Sequence, residues 1–160
     1  MTVGIGYDVH RFAEGRELVL GGVRIPDHPG LEGHSDADVL AHAVTDAVLG
    51  AAGQGDIGRH FPDSDPAHAG ADSIRLLVEV TGKLISTGWR VVNVDATVIC
   101  ESPKLAPFAR EMAATLASAL GADPAAVNVK ATTNEGMGFI GRGEGAAAIA
   151  VAQLARESSG

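Results

Sequence analysis

Arg90-Val91-Val92-Asn93-Val94-Asp95-Ala96-Thr97-Val98-Ile99-Cys100 is the stretch on which the fold turns. Val92, Val94, Ala96 and Val98 alternate with Asn93, Asp95 and Thr97, the period of a strand with one apolar and one polar face. Just before it, Asp72 or Ser73 caps a helix whose apolar positions Ile74, Leu77, Val78, Thr81, Leu84 and Ile85 recur at helical spacing, and Gly88 stops it. Just after it, Ser102-Pro103 and then Pro107 open a further helix, striped by Phe108, Met112, Leu116 and Leu120 and ended by Gly121. Residues 127–133 read as a strand and 135–145 as a glycine-rich turn. Residues 146–154 form a last apolar element, a strand in its first half despite its many alanines.

Toward the N-terminus, residues 3–9 read as a first strand, and Leu18-Val19-Leu20, Gly21-Gly22 and Val23-Arg24-Ile25 as a hairpin with Gly-Gly at its turn. A first helix is expected from Ser35 or Asp36 to about Gly50, burying Val39, Leu40, Ala43, Val44, Ala47 and Val48. Residues 54–70 are a long loop rich in Asp, Gly, Pro and His. This order predicts an α+β sandwich, a mixed β-sheet with helices on one face. Asn93, Asp95 and Thr97 then line a strand face that no helix needs to cover, which suits a subunit interface or a channel.

The chain has 160 residues, the size of one domain spanning 1–160, and 46% of them are apolar, enough for a single core. Its net charge of -8 argues against nucleic acid or an anionic membrane as partner, since both require a basic surface. No apolar run approaches the roughly 20 residues of a membrane span. Met1-Thr2-Val3-Gly4-Ile5 carries no basic region ahead of an apolar stretch, so no signal peptide is expected. A lone cysteine, Cys100, fits a reducing cytoplasm.

Asp8 and His10 stand two apart on a strand and leave it on the same face. His42 lies on the first helix, with Asp38 and Asp46 four residues to either side on its face. One carboxylate and two imidazoles suit a three-ligand zinc site with an open position. They equally suit polar residues at a strand end and a solvated helix histidine. Gly33-His34-Ser35-Asp36-Ala37-Asp38 precedes the helix, where backbone N–H groups can bind an anion and His34 can donate to it, or where Ser35 is simply a cap. The loop holding Asp56, His60, Asp63, Asp65 and His68 is a binding element or a plain surface loop. Asp63-Ser64-Asp65 is too short for a calcium loop, which takes about a dozen residues. Gly136-Met137-Gly138-Phe139-Ile140-Gly141 matches the dinucleotide fingerprint in form only, because too little chain follows to supply the ribose-binding acid.

Taken together, these segments are specific. Gly6-Tyr7-Asp8-Val9-His10-Arg11-Phe12, Gly33-His34-Ser35-Asp36-Ala37-Asp38, His42, Gly55-Asp56-Ile57-Gly58, Phe61-Pro62-Asp63-Ser64-Asp65 and Pro103-Lys104 occur in that order. They are followed by Asn128-Val129-Lys130-Ala131-Thr132-Thr133-Asn134-Glu135-Gly136-Met137-Gly138-Phe139 and Gly141-Arg142-Gly143-Glu144-Gly145. Over nearly its whole length the chain resembles the 2-C-methyl-D-erythritol 2,4-cyclodiphosphate synthase family of the methylerythritol phosphate pathway. Tyr7, Ser64 and Ala106 are mild departures from that pattern.

The resemblance implies a homotrimer around a central channel, with active sites at the subunit interfaces. Asp8, His10 and His42 match zinc ligands, and Glu135 matches a residue that helps hold a second divalent cation, Mg2+ or Mn2+, with the substrate phosphates. His34, Ser35 and Thr133 match phosphate contacts, so His34, Thr133 and Glu135 form the implied catalytic set, with Val9 beside the zinc ligands. Asp56, Ile57 and Gly58, with Phe61, Pro62, Asp63, Ser64 and Asp65, match the methylerythritol pocket. Cys100, Glu101, Ser102, Pro103, Lys104, Leu105 and Ala106, with Ala131, Thr132, Thr133, Asn134 and Glu135, match the cytidine pocket. Phe139 and Arg142 match positions near the substrate and the channel, where an isoprenoid diphosphate is a further implied partner.

The implied reaction converts 4-diphosphocytidyl-2-C-methyl-D-erythritol 2-phosphate to the 2,4-cyclodiphosphate with release of CMP. Two rivals remain at this point: a zinc phosphohydrolase using the same triad, and a non-catalytic trimer that binds isoprenoid diphosphates.

Overall fold

The computed structural model describes residues 1–62 and 70–157. β1 (Thr2–Leu20) runs well past the expected end at Val9 and turns through Gly21 and Gly22 into β2 (Val23–Leu31). Both glycines have positive φ, 57° and 73°, and Leu20 pairs with Val23, so this is the two-residue turn whose twist suits a hairpin. There follow α1 (Val39–Ala51), the single turn α2 (Ile57–His60), α3 (Ser73–Ser86) and β3 (Trp89–Ile99). α4 (Ala109–Ala119), β4 (Val127–Thr132), the single turn α5 (Gly138–Gly141) and β5 (Gly145–Arg156) complete the chain. The strands form one sheet in the order β2-β1-β5-β3-β4, in which β3 and β4 run parallel and the other pairs antiparallel. The expected mixed sheet with α+β character is what forms.

How closely α1 approaches the sheet is set by glycine. Gly4, Gly6, Asp8 and His10 occupy alternate positions of β1 and share its helix-facing side. A Cβ on Gly6 would overlap the carbonyl oxygen of Ala43, and one on Gly4 that of Ala47. The two backbones therefore touch. β5 answers in the same way: Ala148, Ala150 and Ala152 are fully buried on the side that meets α1. That resolves the alanine-rich stretch, which is strand over its whole length rather than its first half. Small residues are used there because a larger side chain would lift the helix.

α1 starts later than expected. Its cap is Asp38, not Ser35 or Asp36, and the carboxylate accepts from the N–H groups of Leu40 (3.1 Å) and Ala41 (2.9 Å). The same carboxylate accepts from Gly21 (2.8 Å) and Gly22 (2.7 Å), so one buried side chain ties the hairpin turn to the helix start. Burial pushes its carboxyl up to about 6, against the pull of these N–H groups. Asp38 thus does not share an exposed face with His42, as the helical spacing suggested. All six positions of the expected stripe are buried, and so are Ala41, Thr45, Leu49 and Ala51, because α3 covers the side that α1 turns away from the sheet.

On α3 the cap is Asp72, one of the two residues expected, and the buried stripe is Leu77, Val80, Thr81 and Leu84. Val78 and Ile85 were expected in it but are about half exposed; each lies one residue past the stripe and so about 100° around the helix. On β3 a register shift between Val91 and Asn93 delays the alternation, which buries Val94, Ala96 and Val98 but not Val92. On α4 Met112, Leu116 and Leu120 are buried, while Phe108 sits before the helix in a 3-10 turn and is only partly covered.

The sheet face away from the helices has two halves. Ile5 pairs with Val151 and Tyr7 with Ile149, and these side chains are open to solvent, Ile5 at 70% and Tyr7 at 53%. Beyond them on β3 and β4 the face turns polar: Asp95 accepts from Lys130 (2.5 Å) and Asn128 (2.8 Å). Thr2 pairs with Leu154, which sets the two ends of the described fold side by side.

Gly6→Ala should cost at least about 3 kcal/mol, since the added methyl meets backbone rather than a side chain that can move. A thermal melt equal to that of the wild-type protein would show that α1 is not seated on this glycine.

Candidate functional site

Because α1 rests on Gly6 at Ala43, the neighbouring His42 is delivered to the polar end of the same β1 face. Asp8 Oδ2 lies 2.9 Å from His42 Nδ1 and 3.1 Å from His10 Nε2. The donor atoms of all three lie within 4.8 Å of one another, and the two imidazoles meet edge to face at 5.7 Å. The spacing-based expectation of a triad is met, and the alternative of a solvated helix histidine is excluded: the His42 side chain is only 12% exposed. A carboxylate and two imidazoles around one point form a donor set that suits a divalent metal ion and leaves coordination positions for other ligands.

The electrostatics agree. Burial raises the Asp8 carboxyl, but hydrogen bonds from the two imidazoles outweigh it and carry the pKa well below the ordinary carboxylate range. The Asp8 hydrogen bond raises His10, against partial burial. Asp8 is thus held as an anion, and it makes His10 bind its proton more tightly than a free imidazole does.

The loop before α1 is fastened around this cluster. Arg16 donates to the carbonyls of Gly33 (3.1 Å) and Ser35 (2.5 Å). Ser35 Oγ accepts from Ala37 N–H (3.1 Å) and stands 3.2 Å from His42 Nε2, so Ser35 belongs to the triad's surroundings rather than to the helix cap. The buried Ser73 on α3 stands closer still, 2.8 Å from the same nitrogen. Sequence reasoning missed Arg16, and saw in Ser73 only a possible helix cap; neither lies at a spacing from His42 that marks a contact. Of the two readings open at the start of α1, an anion site or a cap, the structure shows a cap, but by Asp38 rather than Ser35, and it takes the N–H groups of Leu40 and Ala41. His34 is exposed, and its carbonyl accepts from Gly70 N–H (2.7 Å).

Asp56 caps α2, accepting from Arg59 N–H (2.9 Å), and Ile57 N–H donates to Asp46 (2.7 Å). Ile57 and Gly58 are thereby pinned beside α1, and Gly58 is exposed. Phe61, expected at the substrate, is buried in the core, whereas Pro62 is open. Asp63, Ser64, Asp65 and His68 lie outside the described residues.

A second cluster forms where β3 and β4 end. Cys100 N–H donates to Thr132 (2.9 Å), and Glu101 Oε1 accepts from the N–H groups of Asn134 (2.6 Å) and Gly136 (3.3 Å). This clamps Glu135, whose φ of 52° is left-handed and whose carboxylate accepts from Thr133 Oγ1 (3.0 Å). Ser102, Lys104, Ala106, Ala131 and Thr132 are exposed around it and Pro103 is partly so, but Leu105 and Cys100 point inward and belong to the core. Burial pushes the Cys100 thiol up, so it is not a poised nucleophile. Arg142 donates to Glu144 (2.7 Å), and Phe139 lines an open cavity of about 340 Å³ shared with Val9 and His10.

Asp8 is level with Ala148, Val98 and Ala131 across the sheet, so both clusters lie at the same end. β1 and β4 are nevertheless three strand spacings apart, about 14 Å. Within one chain the triad and Glu135 do not meet.

The profile of the YgbB family matches residues 1–155 of the chain. A Bordetella petrii protein named 2-C-methyl-D-erythritol 2,4-cyclodiphosphate synthase is 60% identical over 156 residues, covering 98% of this chain and 96% of that protein. A solved structure of the bifunctional IspDF from Campylobacter jejuni superposes with a TM-score of 0.94 at 46% identity, over 98% of this chain and 42% of that one. The Plasmodium falciparum IspF–CDP complex superposes with a TM-score of 0.84 at 29% identity, over 98% of this chain and 97% of that one.

Protons and metal compete for His10, whose raised pKa sets where that competition falls. Affinity for a divalent ion should therefore weaken as pH drops through a midpoint above about 6.5, by about tenfold per unit below it. Chelator competition from about pH 5 to about pH 9 measures this, and a flat profile would exclude His10 as a ligand.

Proposed function

The chain belongs to the YgbB family, and on that premise we propose that it converts 4-diphosphocytidyl-2-C-methyl-D-erythritol 2-phosphate to 2-C-methyl-D-erythritol 2,4-cyclodiphosphate and CMP, a step of isoprenoid precursor synthesis. The observation that carries this reading is the Asp8–His10–His42 cluster, set on the fold of proteins that bear this name.

The substrate's own 2-phosphate oxygen attacks the β-phosphorus of its CDP group. The bond from that phosphorus to the bridging oxygen breaks, CMP leaves with the electron pair, and an eight-membered ring closes. No protein nucleophile is required, so the protein's task is to fold a flexible polyanion until two phosphates touch. Zn2+ between Asp8, His10 and His42, and Mg2+ or Mn2+ at Glu135, would supply the positive charge that offsets phosphate repulsion.

His34, Ser35 and Thr133 orient phosphate oxygens, and Asp56, Ile57 and Gly58 hold the methylerythritol hydroxyls. The cytosine is read by backbone groups of Cys100, Glu101, Ser102, Pro103, Lys104, Leu105 and Ala106 and by those near Ala131, since its amino group needs only acceptors. Phe61 and Leu105 act from the core by fixing the loops that carry these contacts. The buried thiol of Cys100 suits the reducing cytoplasm, where we place the enzyme.

The 14 Å gap between the two clusters supports a site completed by a second copy of the chain. The apolar half of the open sheet face, Val3, Ile5, Tyr7, Ile149 and Val151, supports burial against that copy. A homotrimer around a channel lined by the open faces accommodates both, and Phe139 and Arg142 stand where the channel could take an isoprenoid diphosphate.

Phosphorus NMR of the reaction tests the chemistry. The CDP substrate should yield cyclic diphosphate and CMP, and His42→Ala should lose nearly all turnover together with its metal. Linear phosphate products would establish a hydrolase instead, and an unchanged substrate would leave only a binding protein. Sedimentation equilibrium tests the assembly: wild type should run as a trimer and Ile5→Asp, which places a charge in the apolar half, as smaller species. A monomeric wild type with full activity would remove the interface site.

A further inference from the structure

Ser73 opens α3 far from β1 in sequence, yet its side chain is completely buried at the back of His42. Its Oγ meets Asp36 in a short hydrogen bond, His42 Nε2 at 2.8 Å and, less closely, Ser35 Oγ at 3.4 Å. A hydroxyl has one proton to give. Asp36 is an acceptor, and it is locked onto Ser73 because its second oxygen takes the Ser73 N–H at 3.1 Å. The Ser73 proton therefore goes to Asp36, and the Ser73 oxygen is left to accept. Its partner must then be a donor, which places a proton on His42 Nε2. The other nitrogen, Nδ1, faces Asp8 and donates to it in the ion-free protein; once an ion displaces that proton, the Nδ1 lone pair is the one presented to it.

We propose that Asp36 and Ser73 form a positioning relay that fixes the ring orientation and tautomer of His42, so that Nδ1 is presented as a metal ligand. The relay rests on the reading of Asp8, His10 and His42 as metal ligands. It acts through His42 and touches neither substrate nor ion. Outer partners of this kind strengthen a histidine ligand by withholding the wrong tautomer and by pulling charge through the ring.

Zinc alone is a sufficient probe. Chelator competition should show wild type binding one zinc per chain and Ser73→Ala binding it about 10- to 100-fold more weakly, while the metal-free variant still melts in one cooperative transition. Ser73→Thr, which keeps the hydroxyl, should recover most of the loss, and Asp36→Asn should give a smaller loss than Ser73→Ala. Nitrogen-15 NMR of zinc-loaded wild type gives a check that needs no variant: the proton of His42 should reside on Nε2. Zinc binding by Ser73→Ala equal to wild type, or a proton on Nδ1, overturns the relay while leaving the metal reading intact. A wild type that binds no zinc overturns both.

Discussion

The contact of two bare backbones, α1 on β1 at Gly4 and Gly6, is the constraint from which the rest of the molecule follows. A helix held at that distance leaves no room for large side chains beneath it, and β5 accordingly presents alanines. It also brings His42 within hydrogen-bond range of a carboxylate on a strand that is 34 residues away in sequence. Had the interface been spaced by leucines, as many helix–sheet interfaces are, His42 would stand several ångströms from Asp8. The buried carboxylate of Asp38 then fixes the helix along its axis, because the hairpin turn and the first helical turn share its two oxygens. Removing an acceptor there would strand N–H groups in the core at about 1–3 kcal/mol each.

Electrostatics follow the same economy. A net charge of -8 does not by itself attract a substrate bearing several phosphates. Two anionic groups stand out instead: Asp8 between two imidazoles, a donor set that suits a metal ion, and Glu135 on a left-handed residue braced by Glu101. In the proposed reading, a cation held at each of the two supplies local attraction for the polyanion.

The elements were legible because the code for them is local. The alternation at 93–98, the Gly-Gly hairpin and the helical stripe of α1 each declare themselves within about ten residues. Asp8 and His10 were visible as a pair for the same reason, since a strand repeats every two residues. What stayed hidden was set at long range. Asp38 looks like a surface acid until the hairpin folds over it. Phe61 and Leu105 sit inside motifs that the family resemblance links to substrate, yet their side chains fill the core. Asn93, Asp95 and Thr97 do mark the open face, and the apolar row Val3, Ile5, Tyr7 and Val9, equally readable by its period of two, forms the other half of it. The bulge near Val92 and the side that α3 presents depend on neighbours, and no window of sequence contains them.

The pairing of Thr2 with Leu154 has an architectural consequence. Adjacent strands hold the two ends of the fold about 5 Å apart, and Asp8 lies six residues, about 20 Å, further along β1. Anything tethered to either end departs from the pole of the molecule opposite its chemistry. The fold can therefore be spliced to another protein through a short linker at either end, with neither its sheet nor its site disturbed. That geometry suits both arrangements seen among its relatives, one of about the same length and one a portion of a longer bifunctional chain.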